Sequence, residues 1–190
     1  MSVDERGRPS AEESDEDLAR RSLVDREAFG LLYDRYATPV FRFCARRTDV
    51  VASAEDAASA TFLRALDRLP QFRGGSFAAW LFAIARSASA NETRRRRPTE
   101  QLDGRAEIED GGDGPEGQAL HGETTLEIRR LLGSLPSDQR AVVELRLAGL
   151  KGAEIAEALG RSVAAVKMLQ LRAMHRLRQE SLETGNGGRW

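Results

Sequence analysis

Side chains able to carry out covalent or metal chemistry are few and scattered in this sequence. The one cysteine, Cys44, lies on a hydrophobic stripe with no histidine near it, so it is predicted to be a core residue and not a nucleophile. His121 lies in an acidic, glycine-rich stretch and His175 on the face of a predicted helix, and both are interpreted as solvated. Grouped carboxylates, Cys/His ligand sets and phosphate-cradling glycine loops are absent from the sequence. We therefore expect no catalytic residue, no metal ligand and no cofactor.

Residues suited to binding nucleic acid follow one another between Phe72 and Arg97. A phenylalanine and two glycines precede Ser76, which is predicted to cap a helix that starts at Phe77. That helix ends in four arginines, Arg94, Arg95, Arg96 and Arg97. Guanidinium groups at a helix C-terminus complement the helix dipole and also suit phosphate groups. The cluster is therefore interpreted either as a solvated helix end or as a nucleic-acid contact.

The helix that carries these arginines is amphipathic. Phe77, Leu81, Ile84 and Ala88 recur at helical spacing and are predicted to face a core, with Trp80 on their flank.

Further helical patterns precede this stretch. Apolar residues recur every three or four positions over 29–44, and Thr38-Pro39 is predicted to interrupt that helix and start a new segment. Another helix is predicted to begin at Ser53, with an acidic residue three positions later as in a capping box, and to stop at Pro70. With no strand pattern present, residues 18–98 are predicted to form a small all-helical domain.

The composition is that of a soluble globular protein. The chain has 190 residues, of which 41% are hydrophobic and 31% charged. No apolar run approaches the ~20 residues of a membrane helix, and the N-terminus is acidic where a secretory signal is basic and then apolar. A single cysteine cannot form an internal disulfide, which fits a reducing compartment. We expect a cytoplasmic protein with no membrane insertion of its own.

Charge is segregated along the chain although the net charge is only −1. Residues 1–17 and 98–125 carry net charges of −5 and −7, whereas 18–97 and 126–180 carry +7 and +4. Two basic blocks separated by an acidic spacer indicate two modules that each meet a polyanion. The alternative is that ordered domains kept arginine while the other segments drifted acidic.

The acidic segments are predicted to lack regular structure. Residues 1–17 are predicted to be a disordered arm and 99–125 a flexible linker. Residues 181–190, whose charges balance, are assigned as a tail. As a coil of about 25 residues, the linker would span roughly 30 Å. This is close to the ~34 Å of one duplex turn, so the two modules could bind sites one or two turns apart.

The second basic block has the pattern of a helix-turn-helix. One helix is predicted to end at Pro136, and the next, capped by Ser137, to cover 138–148. Beyond them, Ala156, Gly160 and Val166 have helix-turn-helix spacing, because helices that cross steeply need a small residue at contact and a turn residue that accepts a positive φ. Ser162 is predicted to cap the following helix, whose core-facing residues include Val166 and Ala173.

The outward face of the second helix of this motif is the candidate base-reading surface, because helix-turn-helix proteins read bases from its N-terminal turns. Its residues are Ser162, Ala164, Ala165, Lys167, Met168, Leu171 and Arg172. Base edges are predicted to meet Ala164, Lys167, Met168 and Leu171, and phosphates to meet Arg172, Arg176 and Lys151. The alternative is that Met168 and Leu171 pack on a partner helix or on the other module.

Two blocks of sequence occur in a familiar order. The first half carries FGLLYDRYATPVFRFCARR, SAEDAASATFLRAL and FRGGSFAAWLFAIARS, and the second half carries LGSLPSDQRAVVELRLAGLKGAEIAEALGRSVAAVK. Over roughly 28–97 and 131–178, the chain resembles the extracytoplasmic-function sigma factors of bacterial RNA polymerase. The resemblance is specific mainly because both halves match in order. It implies an all-α fold, with a sigma2-like bundle and a sigma4-like helix-turn-helix domain joined by the acidic linker.

The resemblance also implies partners and sites. It implies that residues 18–98 bind the clamp helices of the largest polymerase subunit and melt the minus-ten promoter element, and that 126–180 read minus-thirty-five and sit on the flap of the second-largest subunit. The clamp-binding positions it implies are Glu55, Asp56, Thr61, Phe62, Arg64 and Ala65. The minus-ten positions are Phe72, Arg73, Gly74, Gly75, Ser76, Trp80, Arg86, Asn91, Arg94, Arg95, Arg96 and Arg97.

The minus-ten assignment is physically reasonable, because a base out of its stack needs a π-face and donors, and arginines hold a separated strand by its backbone. Phe72 and Trp80 also fit a plain core role. Relatives usually carry glutamine and an acid where this chain has Ser59 and Ala60, which puts its polymerase affinity in doubt. The linker would lie near the RNA exit path, as a mimic of nucleic acid or as a passive tether.

The resemblance predicts a non-enzymatic specificity subunit whose partners are core RNA polymerase, promoter DNA and an anti-sigma factor. The main alternative is a helix-turn-helix regulator that acts alone, with the first half as a sensor or dimerisation domain. An enzyme acting on DNA, such as a recombinase, is the third class and lacks any catalytic grouping in the sequence.

Overall fold

The described residues of the protein, 13–96 and 128–186 in a computed structural model, fold as α-helices without a strand among them. This confirms the predicted all-α class. In the first half the helices are α1 (Asp15–Arg21), α2 (Arg26–Ala45), α3 (Val51–Arg68) and α4 (Phe77–Arg96), with a 3-10 turn at Leu69–Gln71. In the second half they are α5 (128–133), α6 (Ser137–Leu147), α7 (Gly152–Leu159) and α8 (Val163–Asn186). The predicted linker, 99–125, lies outside the described residues.

The first helix starts earlier than the sequence pattern indicated. Its N-cap is Ser14, whose hydroxyl accepts a hydrogen bond from the Asp17 amide at 3.1 Å. The predicted disordered arm included 13–17, but these residues belong to the cap and first turn of α1. Three acidic residues in that turn suit the positive end of the helix dipole, which is why a stretch without apolar periodicity is helical.

The predicted break at Thr38-Pro39 is wrong, because α2 is continuous and carries Pro39 in its interior. A proline there removes one backbone hydrogen bond and costs roughly 3 kcal/mol. Leu32 and Val40, one on each side of it, are fully buried. Burial of large side chains before and after the proline offsets the lost bond.

Two helix starts also differ from their predicted caps. The third helix begins at Val51, and Ser53 is buried inside it, where its hydroxyl has no hydrogen-bond partner among residues 13–96 and 128–186. The sixth begins at Ser137 itself, after Pro136, with no side-chain cap. Serine was interpreted as a cap in both cases, but a backbone bond, such as Ala54 N–H to the Val50 carbonyl at 3.2 Å, already closes the first turn of α3.

The first half packs α3 against α4 and α2 around a core of aromatic and small residues. Phe43 and Phe82 meet edge to face, with ring centroids 5.4 Å apart. Cys44 is fully buried beside them, and burial raises the pKa of its thiol. This confirms its predicted role as a core residue.

The second half is a helix-turn-helix preceded by two helices. Gly160 ends α7 in the left-handed conformation, with φ of 60°, and the Ser162 hydroxyl accepts from the Ala165 amide at 3.2 Å to cap α8. Val166 and Ala173 are buried. The sequence predicted each of these roles, because a tight turn needs a residue that accepts positive φ and a helix start needs an acceptor.

The two halves pack against each other, mainly through α4 and α7. Val142, Leu145 and Ile155 of the second half belong to one continuous hydrophobic core with Phe77 and Leu81 of the first half. The protein therefore holds its two helical units in a closed arrangement.

Candidate nucleic-acid interface

The loop predicted to meet the minus-ten element connects the 3-10 turn to α4. Gly74 and Gly75 both adopt left-handed backbone, with φ of 96° and 85°. Both glycines are exposed, as is Arg73 before them. The Arg73 guanidinium donates to the Pro70 carbonyl at 2.8 Å. Ser76 caps α4, because its hydroxyl accepts from the Ala79 amide at 3.2 Å. The predicted cap and helix start are both confirmed.

The aromatic residues of this loop form one cluster at the edge of the core. The Phe72 ring lies 5.3 Å from Trp80 and 5.9 Å from Phe77, centroid to centroid. Phe77 is buried, whereas Phe72 and Trp80 are each only partly covered. The two alternatives for Phe72 and Trp80 are thus compatible, since each ring has one side in the core and another part accessible from solvent.

The basic residues of α4 differ in their exposure and in their contacts. Arg94 is exposed, and within the described residues its side chain makes one long hydrogen bond, to the Asn91 side chain at 3.4 Å. Arg95 is also exposed and pairs with Glu92 at 3.0 Å and with Asp56 at 3.5 Å. Arg86 is half-buried. Arg96 ends α4, and Arg97 lies outside the described residues.

Acidic residues of the second half occupy the start of α4. Both carboxylate oxygens of Glu157 accept from the Ser76 amide at 3.2 Å, and Glu154 accepts from the Ser76 hydroxyl at 3.1 Å. A carboxylate from α1, that of Glu16, accepts from the Phe77 amide at 3.1 Å. Unpaired amides at a helix N-terminus attract anions, so three carboxylates fill this end of α4.

The candidate base-reading face of α8 is accessible. Lys167, Met168 and Leu171 are exposed, with 49% of Met168 and 56% of Leu171 accessible. The remaining predicted residues of this face are also exposed, except the half-buried Ala165; they are Ser162, Ala164, Arg172 and Arg176. Lys151, at the N-cap of α7, is exposed as well. No part of the described chain covers these positions, so packing of Met168 and Leu171 on the first half is not observed.

The residues carried over as clamp-binding do not share one surface. Glu55 and Asp56 are exposed and Arg64 is half-buried, but Thr61 and Ala65 are fully buried between helices. The Thr61 hydroxyl donates to the Ala57 carbonyl at 2.7 Å, which explains its burial. Thr61 and Ala65 therefore support the helix from inside and do not face a partner.

An apolar groove lies beside the exposed clamp positions, between α2 and α3. Its volume is about 610 Å³, and Phe29, Tyr33, Phe62 and Leu63 are among its lining residues. The Tyr33 and Phe62 rings meet at a tilt of 59° with centroids 4.7 Å apart, and 69% of Leu63 is accessible. Glu55 lies at the groove and gives it a negative group. Tyr33 and Leu63 were not predicted as surface residues of a groove. Apolar spacing alone does not show which apolar positions of a helix stay exposed, as these two do.

A buried charge cluster at the junction of the halves was also missed. Glu144 is fully buried and binds two guanidiniums, those of Arg47 and Arg140, the latter at 2.7 Å. Burial lowers the pKa of neighbouring Arg46, and the charge of Glu144 opposes that shift. The only sequence signal was an acid among the apolar residues of α6.

The end of α2 also receives donors from the second half. The Arg129 side chain donates to the Ala45 carbonyl at 2.8 Å, and Arg140 donates to the Arg46 carbonyl at 3.0 Å. The last carbonyls of a helix lack partners within the helix, so guanidiniums satisfy them well. Burial lowers the pKa of Arg129.

The described residues contain neither a candidate metal site nor a candidate membrane-spanning helix. No grouping of three or more His, Cys, Asp or Glu side chains suited to a metal ion occurs among them. None of the helices in this part of the chain is both long and apolar enough to cross a bilayer.

Comparisons with known proteins match both halves. The family model for region 2 of sigma-70 matches residues 32–99, and that for region 4 matches residues 125–177. The ECF RNA polymerase sigma factor BldN of Streptomyces coelicolor is 37% identical over 185 residues, which cover 90% of this chain and 68% of the relative.

Solved structures share the fold. CnrH in complex with the cytosolic domain of CnrY gives a TM-score of 0.70 at 24% identity, over 90% of this chain and 99% of that chain. The sigma factor RpoE in complex with the anti-sigma factor NepR from Bartonella quintana gives 0.59 at 22% identity, over 80% and 96%.

Proposed function

Because this chain belongs to the extracytoplasmic-function sigma factors, which direct bacterial RNA polymerase to promoters, we propose that its two halves read two promoter elements with the residues described above. The observation that carries this proposal is the order of the units along the chain. A region 2 match with an aromatic, glycine-containing loop precedes a region 4 match whose recognition helix is exposed. Polymerase supplies the chemistry, and the protein itself is not an enzyme.

The second half, residues 126–180, reads the minus-thirty-five element through α8. Met168 and Leu171 present exposed apolar groups suited to thymine methyls, and Lys167 presents a donor beside them on the same face. Arg172, Arg176 and Lys151 contact phosphates, which position the helix in the major groove.

The first half, residues 18–98, captures and melts the minus-ten element. The partly covered rings of Phe72 and Trp80 offer a stacking surface, and the exposed Arg94 and Arg95 lie on the same helix for strand phosphates. Glu154 and Glu157 must leave Ser76 before its amide and hydroxyl can meet DNA. Reading minus-ten therefore requires the two halves to separate.

The exposed face of α3 and the adjoining apolar groove bind the polymerase clamp. Glu55 and Asp56 supply negative charge, and the Tyr33–Phe62 pair with Leu63 supplies apolar area. Ser59 is exposed and Ala60 half-buried, so their difference from the glutamine and acid that relatives usually carry changes the surface of α3. We place the protein in the bacterial cytoplasm, with the flap of the second-largest subunit and an anti-sigma factor as further partners; RpoE, which shares its fold, was solved with such a factor.

Reconstituted transcription tests this function. Core polymerase with the purified protein should produce discrete run-off transcripts from a genomic fragment library, and core polymerase alone should not. Lys167→Ala/Met168→Ala should lower transcription about tenfold or more, because each base contact is worth ~1–3 kcal/mol. Met174→Ala is the matched control, since Met174 is 42% accessible on the same helix but lies two turns beyond Lys167, past the N-terminal turns that read bases.

The alternative regulator predicts a different result. A helix-turn-helix protein that acts alone should shift duplex DNA in a gel without polymerase and should bind its site through a dimer. Specific binding by the free protein, together with no transcript from the reconstituted library, would reject the sigma-factor mechanism.

A further inference from the structure

A cationic cavity of about 450 Å³ lies between the two halves of the protein. Its polar lining residues are Arg47, Ser89, Thr93, Arg94, Ser137 and Arg140. They come from the end of α2, from α4 and from the start of α6, so the cavity exists only when the halves are closed. It is separate from the Phe72–Ser76 loop and from the outward face of α8.

Positive charge exceeds negative charge around this cavity. Three guanidiniums line it, and no carboxylate is among its lining residues. Glu144, which binds two of these guanidiniums, is already shared: one oxygen accepts from Arg47 and the other from Arg140. Within the described part of the chain, Arg94 has only its 3.4 Å contact with Asn91. An anion in the cavity would therefore meet guanidiniums that one buried carboxylate does not neutralise.

Buried donors next to the cavity also lack acceptors. The Nε of Arg47 and the Nε and Nη2 of Arg46 are buried, and no described residue accepts a hydrogen bond from them. Buried polar groups in proteins are almost always paired, and an unpaired buried cation is costly. No side chain caps the first turn of α6, which reaches the cavity through Ser137, so its amides add to the positive field.

The lining defines the class of ligand. Guanidinium forks match the tetrahedral oxygens of phosphate groups and bind them in pairs. The cavity has the volume of a small-molecule site, and its lining contains no aromatic ring on which a base could stack. We propose that this cavity binds a small phosphate-type anion, such as phosphate or pyrophosphate, and that binding holds the two halves together.

Binding of the anion is coupled to closure because the arginines that line the cavity come from both halves. Arg47 and Arg94 belong to the first half and Arg140 to the second, so the anion is bound fully only in the closed arrangement. A ligand that binds one arrangement better than another shifts the population toward it. The anion therefore opposes the separation of the halves. This inference rests on the closed packing alone and not on which bases the protein reads.

Titration of the full-length protein with inorganic pyrophosphate tests the site. Sodium chloride must keep the ionic strength constant, because nonspecific attraction to surface arginines is screened by salt. We expect saturable binding of one pyrophosphate per chain by calorimetry. Arg94→Gln should weaken it about tenfold, since it removes a charge-assisted contact from an exposed side chain without disturbing the core. Arg26→Gln is the matched control, because Arg26 is exposed on α2 away from the cavity.

Two further measurements separate the proposal from its competitors. Pyrophosphate should slow amide exchange of residues 72–80 in the unmodified protein, because closure keeps the Ser76 amide bonded to Glu157. It should not do so in Arg140→Gln. Equal binding by the Arg94→Gln and Arg26→Gln variants would overturn the site. Binding seen only after the acids of 98–125 are neutralised would also overturn it, because the chain's own linker would then be the natural occupant.

Discussion

At the scale of single residues, Glu144 joins the two halves through a buried ion pair with Arg47. It is fully buried, and its two oxygens bind Arg47 and Arg140. Replacing it leaves two guanidiniums without their shared acceptor in a place with little access to water. Removing one partner of a buried ion pair typically costs ~3–5 kcal/mol, because the remaining charge is uncompensated.

We therefore expect Glu144→Gln to lower the free energy of unfolding by about 3 kcal/mol in urea denaturation. The matched control is Asp138→Asn, whose pair with Arg161 is exposed, with an N–O distance of 2.8 Å. An exposed pair is worth less than ~1 kcal/mol, so the control should change stability little. Equal effects of the two substitutions would show that the buried ion pairs of Glu144 do not stabilise the junction more than an exposed pair does.

The arginines of α4 allow a second test at this scale. If Arg94 and Arg95 contact the phosphates of a separated strand, the Arg94→Ala/Arg95→Ala variant loses two contacts. The slope of log K for open-complex formation against log salt should then become shallower by roughly 1.4, at about 0.7 per single-strand phosphate. The control is the Arg20→Ala/Arg26→Ala variant, which removes the same amount of charge from exposed positions on α1 and α2. An unchanged slope in the α4 variant would return the cluster to a solvated helix end.

At the scale of elements, the turn between α7 and α8 depends on one backbone conformation. Gly160 has φ of 60°, and a Cβ built there would meet no atom within 4 Å. The cost of a side chain at this position is therefore conformational and not steric. Left-handed backbone costs an ordinary L-residue roughly 1–2 kcal/mol, whereas asparagine accepts it more readily.

Gly160→Ala should lower the stability of the helix-turn-helix by about 1 kcal/mol, and Gly160→Asn by clearly less. Thermal unfolding of the two variants measures the difference. Both should leave the exposed face of α8 unchanged, so promoter preference in run-off transcription should stay the same. Equal destabilisation by alanine and asparagine would mean that the turn does not need the left-handed conformation.

At the scale of the whole molecule, the closed arrangement leaves the two proposed DNA surfaces in different states. The outward face of α8 is free, while Glu154 and Glu157 hold the Ser76 groups at the start of α4. The Gly75 backbone lies so close that a Cβ there would be 2.3 Å from a Glu157 oxygen. Opening must break these contacts together with the apolar packing of α4 on α7.

Glu157→Ala should therefore favour opening. Loss of a charge-assisted hydrogen bond at a partly exposed site should speed amide exchange of residues 72–80 about fivefold to tenfold, measured by mass spectrometry. Asp138→Ala is the control, because it removes an acid from α6 that pairs with Arg161 alone among the described residues. Unchanged exchange in Glu157→Ala would show that apolar packing by itself keeps the halves closed.

The sequence by itself determined the class of the fold and the starts of α4 and α8. Apolar residues at three- and four-residue spacing specify which helix face is buried, as at Phe77, Leu81 and Ile84. Local caps and turns were equally legible, because Ser76, Gly160 and Ser162 act on backbone groups within a few residues of themselves. Such effects are short in range, so no knowledge of distant contacts is needed.

Only the tertiary structure decided what depends on partners far along the chain. Pro39 stays inside α2 because burial on either side outweighs one lost hydrogen bond, and Ser53 is covered by packing where its sequence suggested a cap. Glu144 and Glu157 acquire their roles from residues 97 and 81 positions away. The closed junction, its buried charges and its cavity arise from those long-range contacts, whose energies no local pattern encodes.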